Sequence, residues 1–351
     1  MKVTRRDLLK MAGVAAVGAA VGNFGAQTEA AKSAPKLIQA PVVGSKNVTG
    51  TKFSGSAAKV YFTKKIDADS LIKLYNLVNG EIFGKVAIKL HTGEPDGPNI
   101  LPRDMVQKFQ AQVPNSNIVE CNTLYNGARY TTEGHRKTIA QNGWNFCEVD
   151  IMDEFGGVDL PTNGGKHLKF VTMGKNITNY DSMIVLTHFK GHSMGGFGGS
   201  LKNIAIGCAS GQVGKAQVHG YKGTEMPPPG PTWSDGTMPL QEKFMELMAD
   251  SGKATCDYFG KKIVFLNVMR RLSVDCDCAG TRAAEPTMQD IGICASNDIL
   301  AIDQACCDFV YTATDSKDLR ERMESRHGLH QLQAMRDIGL GNPQYELISI
   351  D

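Results

Sequence analysis

The residues best suited to chemistry crowd around one glycine-rich stretch, Thr187-His188-Phe189-Lys190-Gly191-His192-Ser193-Met194-Gly195-Gly196-Phe197-Gly198-Gly199-Ser200-Leu201-Lys202-Asn203. His188 and His192 supply imidazoles suited to zinc, iron, nickel or copper, and His219 follows closely enough to join them as a metal ligand. Gly196, Gly198 and Gly199 put no β-carbon in the way, so backbone amides there can approach a ligand. Lys202, just past the glycines, is placed as an acid/base group, an anion contact or a covalent anchor. With His192 and His91 it makes up the expected catalytic set. The glycine spacing fits neither a Walker loop nor a dinucleotide turn.

Two other segments offer partners for this loop. Lys89-Leu90-His91-Thr92-Gly93-Glu94-Pro95 carries a cation, a base and a carboxylate, with Lys89 and Glu94 expected to contact a ligand. In Tyr125-Asn126-Gly127-Ala128-Arg129-Tyr130-Thr131-Thr132-Glu133-Gly134-His135, Arg129 is the expected contact for an anionic substrate. Glu133 and His135 read as first-turn helix residues. Nine cysteines, an odd number, do not form a disulfide framework. Cys121, Cys147, Cys208 and Cys294 lie in or beside apolar runs, and Cys306 and Cys307 in a helical pattern, as small core residues do. Cys276 and Cys278 differ, because Asp275-Cys276-Asp277-Cys278-Ala279-Gly280 is polar and ends in glycine. They are a soft metal-ligand pair or a local redox pair.

These loops need elements to hold them, and the patterning supplies alternating strands and helices. Strand patterns cover Lys59–Thr63, Lys85–Leu90, Asn117–Cys121, Phe146–Ile151, Ser182–Thr187, Lys262–Val268, Asp290–Ala295 and Tyr345–Ile350. Helical spacing covers Asp69–Asn79, Leu101–Val113 with Pro102 in its first turn, Thr132–Asn142, Leu240–Tyr258, a helix capped by Asn297, Lys317–Arg326 and Leu329–Ile338. The expected fold is α/β, a mainly parallel sheet flanked by helices with the glycine-rich loop at the strands' C-terminal ends, where such sheets bind ligands. Residues 59–351 form this domain. Residues 31–58 read as a linker, and the proline-rich run at 226–236 as a surface excursion.

The 351 residues are 42% hydrophobic and 21% charged, with a net charge of +2. Collagen-like, coiled-coil and broadly disordered chains are excluded. Lys2, Arg5, Arg6 and Lys10 against Asp7 and Glu29 account for the whole excess, leaving a neutral body with no basic stripe for nucleic acid. Thr4-Arg5-Arg6-Asp7-Leu8-Leu9-Lys10 and the short Ala/Gly/Val run after it resemble a twin-arginine export signal over residues 1–30. The resemblance implies the twin-arginine machinery as a partner, passage across the membrane already folded and a periplasmic or other extracytoplasmic location. The mature form should not span the membrane, since no apolar stretch reaches the roughly 20 residues required.

Lys85–Glu94, Tyr125–His135, His188–Gly207, Asp275–Gly280 and the segment from Asp290-Ile291-Gly292 through Ala305 resemble the domain-of-unknown-function family 362. Many members carry a ferredoxin-type module with two iron–sulfur clusters beyond the counterpart of His219. This chain has no Cys-x-x-Cys-x-x-Cys run there, so no ferredoxin-type cluster is expected. His192, Gly196-Phe197-Gly198-Gly199, Lys202 and His219 are also similar in order to the loop of nickel-pincer lactate racemase. That likeness implies a lysine tether for a cofactor and histidines as nickel ligand and acid/base pair. The racemase's Gly-Thr-His-Arg motif is here Gly127-Ala128-Arg129-Tyr130. The expectation is an exported protein binding an iron, nickel or zinc ion or a metallocofactor. It acts as a redox or racemase-like acid/base enzyme on a small anionic substrate. A non-enzymatic binding or accessory protein, and a thiol redox protein using Cys276 and Cys278, are the alternatives.

Overall fold

The strand Ser182–His188 is buried at every position, and its side chains divide by alternation. Met183 and Val185 join one apolar cluster, Ile184 and Leu186 another. A strand buried on both faces must lie inside a sheet covered on both sides. The computed structural model describes residues 36–39 (backbone only), 56–221 and 241–351, and it has that architecture. The expected signal, the linker except for residues 36–39 and 56–58, and the proline-rich excursion lie outside the described residues; residues 36–39 form a sheet strand where the sequence pattern gave only linker.

In chain order, the sheet strands are β1 Lys36–Gln39, β2 Ala58–Thr63, β3 Val86–Lys89, β4 Ser116–Glu120 and β5 Val149–Ile151. After a hairpin, β6 Gly157–Pro161 with β7 Phe170–Gly174, come β8 Ser182–His188 and a second hairpin, β9 Lys190–His192 with β10 Gly196–Gly198. The main sheet ends with β11 Ile263–Met269, β12 Gly292–Ser296 and β13 Gln344–Ser349, in the order β1-β13-β2-β12-β11-β8-β3-β4-β5. The block β11-β8-β3-β4-β5 is parallel throughout. β12 runs antiparallel to both β11 and β2, and β1 antiparallel to β13. The sheet is therefore mainly parallel.

Helices α1 Ala68–Tyr75, α2 Arg103–Gln110 and α3 Thr132–Gln141 cover one face through Leu71, Leu74, Val106, Phe109 and Ile139. The other face carries α4 Ser200–Gly207, α5 Gly214–Val218, α6 Gln241–Phe259, α7 Ile299–Thr312, α8 Lys317–Ser325 and α9 His330–Asp337, with Leu201, Val218, Phe244, Ile302, Met323 and Met335 in its cluster. Two local expectations shift. Pro102 stands in the cap position just before α2, its fixed φ of −59° fitting that place. Asp298, not Asn297, caps α7, accepting from the Ala301 amide, while Asn297 reaches the Val78 carbonyl.

The glycine-rich stretch is not one loop. It folds into the β9–β10 hairpin and then α4, whose cap position is Gly199. No side chain within the stretch satisfies the first α4 amides. Asp303 of α7 does so instead, accepting from Ser200 N at 2.7 Å and Leu201 N at 2.9 Å. Asn267 Nδ2 adds a third bond at 2.8 Å. A β-carbon on Gly199 would stand 2.4 Å from the Asp303 carboxylate, so this glycine is required by the cap itself. Gly196 adopts φ +77°, a region other residues rarely enter, and backs onto Gly328.

Burial pushes the Asp303 carboxyl up from 3.8 to about 6, overcoming the three bonds that favour its charged form. A carboxyl whose folded pKa lies above its unfolded value stabilises most below the unfolded pKa, and that gain is lost as pH rises through the folded one. The stability advantage of the wild type over Asp303→Asn, measured by urea unfolding, should shrink by about 2–3 kcal/mol between about pH 4 and pH 7. A pH-independent difference would contradict this charge state.

Candidate functional site

Because β3, β4 and β8 are parallel, their C-terminal ends open on one edge of the sheet, and β11 brings the Cys-Asp-Cys segment to the same edge. A cavity of about 760 Å³ lies there. Lys89, His91, Glu120, Tyr125, Arg129, Lys190, His192, Gly199, Lys202, Asn203, Lys215, His219, Cys278 and Arg282 contribute to its walls. Asn203 on α4 ties the edge together, its Nδ2 donating to Lys89 O, Leu186 O and Thr187 Oγ1.

The metal-ligating candidates separate into two groups. His192, Cys276 and Cys278 offer ligand atoms all within 4.8 Å of one another. His188, also expected as a ligand, does not join them. Its Nδ1 lies 3.0 Å from both Asp277 oxygens and its Nε2 2.7 Å from Arg270 O, so both ring nitrogens are engaged in fixing the chain. His219 lines the cavity with Nδ1 at 2.6 Å from Lys215 O, outside the close group.

Asp277 explains how two thiols one residue apart reach the same place. Its buried carboxylate is clamped by His188 and by Lys190 at 3.1 Å. Burial alone would raise this carboxyl, but His188 and Lys190 hold it well below the usual range. Cys276 receives a hydrogen bond from Cys278, which lowers its pKa well below the thiol norm against the effect of burial. Lys202 Nζ, 3.2 Å away, and His91 add to that lowering. The Cys278 thiol is raised in turn, chiefly by its bond to Cys276. Burial would lower the Lys202 amine, yet the Cys276 sulfur draws it upward. The arrangement thus favours negative charge on the Cys276 sulfur and positive charge on Lys202.

The histidines carry a further constraint. Gly93 N donates to His91 Nδ1 at 2.9 Å, and Gly195 N to His192 Nδ1 at 2.9 Å. A neutral imidazole has one lone pair and one N–H, so both rings carry their proton on Nε2. Burial keeps them neutral, pushing His192 down to about 3. The two sulfurs suit a soft or borderline metal ion, which Cys278 would ligate by giving up the proton it shares with Cys276. His192 completes the set only by exchanging its Gly195 bond for the metal.

The residues expected to grip an anion are largely paired with one another. Lys89 spends all three N–H groups on Glu120, Leu90 O and Asn203. Arg129 is held by Glu94 at 2.8 Å, by Tyr125 and, at 3.6 Å, by Glu120. Glu94 also accepts from Tyr125 Oη at 2.5 Å. Arg129 and Glu94 are therefore wall-building partners first. Burial would raise Glu120, but Lys89 and Arg129 pull it well below the carboxylate norm. Gly196 and Gly199 answer to contacts inside the fold, whereas Gly198 has room, with Lys202 and Lys190 its nearest side chains. Glu120, Lys190, Lys215 and Asp277 escaped notice in the sequence. Only the Lys190-Gly191-His192 spacing and the aspartate between the cysteines gave any signal.

A family model described as Domain of unknown function (DUF362) matches residues 86–308, a span that runs from β3 past the Cys-Asp-Cys segment. The chain belongs to the DUF362 family. No curated protein matches the chain. Among solved structures, this DUF362 chain is similar to the lactate racemase apoprotein from Thermoanaerobacterium thermosaccharolyticum, with 13% identity and a TM-score of 0.41 over 73% of this chain and 57% of that one. It is also similar to a structural-genomics protein from Thermotoga maritima, with 10% identity and a TM-score of 0.38 over 76% and 60% of the two chains. The DUF362 chain spans less than two thirds of the length of either structure. Among the described residues, no helix is long and apolar enough to cross a membrane.

Breaking a buried ion pair from one side leaves a charge stranded, whereas removing both sides does not. Glu120→Gln should cost about 3–5 kcal/mol of unfolding free energy, and Lys89→Met with Glu120→Leu should recover most of it. Equal losses in the single and double variants would show that the pair does not govern this wall.

Proposed function

We propose that this DUF362 chain is an exported metal- or metallocofactor-binding enzyme that performs redox or acid/base chemistry on a small anionic substrate. The observation that carries the reading is the close approach of His192, Cys276 and Cys278 beside a cation-walled cavity. Cys276 and Cys278 would hold the ion, with His192 as third ligand, and two sulfurs with one imidazole suit zinc, nickel or iron. Such an ion would supply Lewis acidity or an electron-transfer centre. Lys202, 3.2 Å from the Cys276 sulfur, stands beside anything the sulfurs bind and can hold a substrate oxygen or move a proton to it. His192 lines the cavity with its proton on Nε2, which supports recognition of a negatively charged group, while the His91 N–H is turned to the Cys276 sulfur.

Those tautomers also favour a second reading. Neither ring is set as a base in its resting state, as befits a protein that binds a ligand or metal without turnover. Solvent deuterium uptake by candidate 2-hydroxy acids, or bleaching of a visible band by dithionite, would favour the enzyme. Saturable binding with neither would favour the accessory protein.

Elemental mass spectrometry of the full chain should find about one transition-metal ion per molecule, lost in Cys276→Ser with Cys278→Ser while cooperative unfolding is kept. Wild-type protein that stays metal-free after incubation with zinc, nickel and iron salts would overturn the metal reading. Export is a separate expectation, resting on residues outside those described. Arg5→Lys with Arg6→Lys should strand the protein in the cytoplasm of a twin-arginine-competent host. Unchanged export of that variant would refute the route.

A further inference from the structure

Among the described residues, the buried cations around the cavity are neutralised from within the protein, with one exception. Lys89 has Glu120, Arg129 has Glu94, Lys190 has Asp277 and Lys202 has the Cys276 sulfur. Lys215, on α5, lines the same cavity and is only 5% exposed. Among the described residues its ammonium makes one hydrogen bond, to Ala209 O at 2.7 Å, and no ion pair. Two of its three N–H groups are left for the cavity. Burying an ammonium with a single carbonyl partner is costly, and burial accordingly pushes this amine below its usual range. The charged groups that act on it from farther away are Asp153, Glu120 and Lys89, together with the Cys121 thiol, which burial keeps protonated. His219, one turn beyond, feels both Lys215 and Lys202, which puts the two amines around the same part of the cavity.

We propose that Lys215 is the anion-recognition residue of this cavity, its ammonium meeting the carboxylate or phosphate oxyanion of the small substrate. The ligand brings the counter-charge that the described residues do not supply at this position. The cavity's other buried cations are already engaged, so Lys215 dominates the affinity for the anionic head. The assignment rests on the reading of the cavity as a substrate site and does not depend on the metal.

The test uses the full chain and two probes, sodium oxalate and inorganic phosphate, each titrated at constant ionic strength against a sodium chloride control. Binding is read as a rise in the thermal midpoint that grows with the logarithm of anion concentration once Kd is exceeded. The expected result is a response to oxalate, to phosphate or to both, and the stronger response identifies the head group. Lys215→Met should weaken the apparent affinity by at least about tenfold and Lys215→Arg by no more than about threefold, with metal content unchanged in both. Should Lys215→Met fail to fold, trinitrobenzenesulfonate labelling of the wild type supplies the answer. Lys215 should be modified, and the effective anion should slow that modification about tenfold. No response to either anion, equal affinity in wild type and Lys215→Met, or labelling that neither anion slows would overturn the proposal. Metal-free protein that still binds the anion through Lys215 would sink the metal reading alone. Metal-loaded protein without the anion effect would sink this inference alone.

Discussion

A single carboxylate decides where the chemistry of this fold can sit. Asp277 lies between two cysteines in sequence, and its side chain is gripped by His188 at the end of β8 and Lys190 at the start of β9. That grip joins the segment after β11 to the segment after β8, and the two thiols come to the cavity edge as its neighbours. A buried carboxylate without such partners would not remain ionised. The interaction therefore consumes a histidine and a lysine that would otherwise face a ligand, and in exchange it fixes a pair of sulfurs. Asp303 plays the matching part at the α4 terminus, where it stands in for a capping side chain that the glycines cannot supply.

The cavity walls follow one electrostatic pattern. Lysine or arginine is set against carboxylate or sulfur at hydrogen-bond distance, with most members buried. Pairs of this kind add little net stability, because the desolvation they cost offsets the attraction they gain. What they provide is a rigid polar surface in which each side chain has one orientation. The amides of Gly93 and Gly195 extend the same control to the imidazoles and settle which nitrogen carries the proton. Side chains held in this way keep their orientation without help from a ligand, which is what a preorganised polar surface requires.

The sequence announced much of this and concealed the rest for definite reasons. Apolar alternation and helical spacing made β8, β11, α6 and α7 legible, since each buries a large face by itself. The loops after β3, β4 and β8 were legible because parallel strands end together. The orientation of β12 was hidden, for a five-residue apolar run reads alike in either direction. The role of His188 was hidden because its carboxylate partner stands 89 residues away, and that of Gly199 because Asp303 contacts its helix from 103 residues away. Local spacing carries periodicity and turn chemistry. It holds no record of which distant charge will arrive.

Gln331 on α9 donates to Gly195 O at 2.6 Å and to Phe197 O at 2.9 Å, gripping the hairpin that sets His192 from 136 residues downstream. β13, later still, closes the sheet by pairing with β2 near its other end. On a growing chain, the turn beneath His192 lacks its donor until α9 has been made, 136 residues after the turn itself. The hairpin that carries His192 is thus held in place only once α9 has packed against it, so the site is set by the folding of the whole domain and not by its own segment.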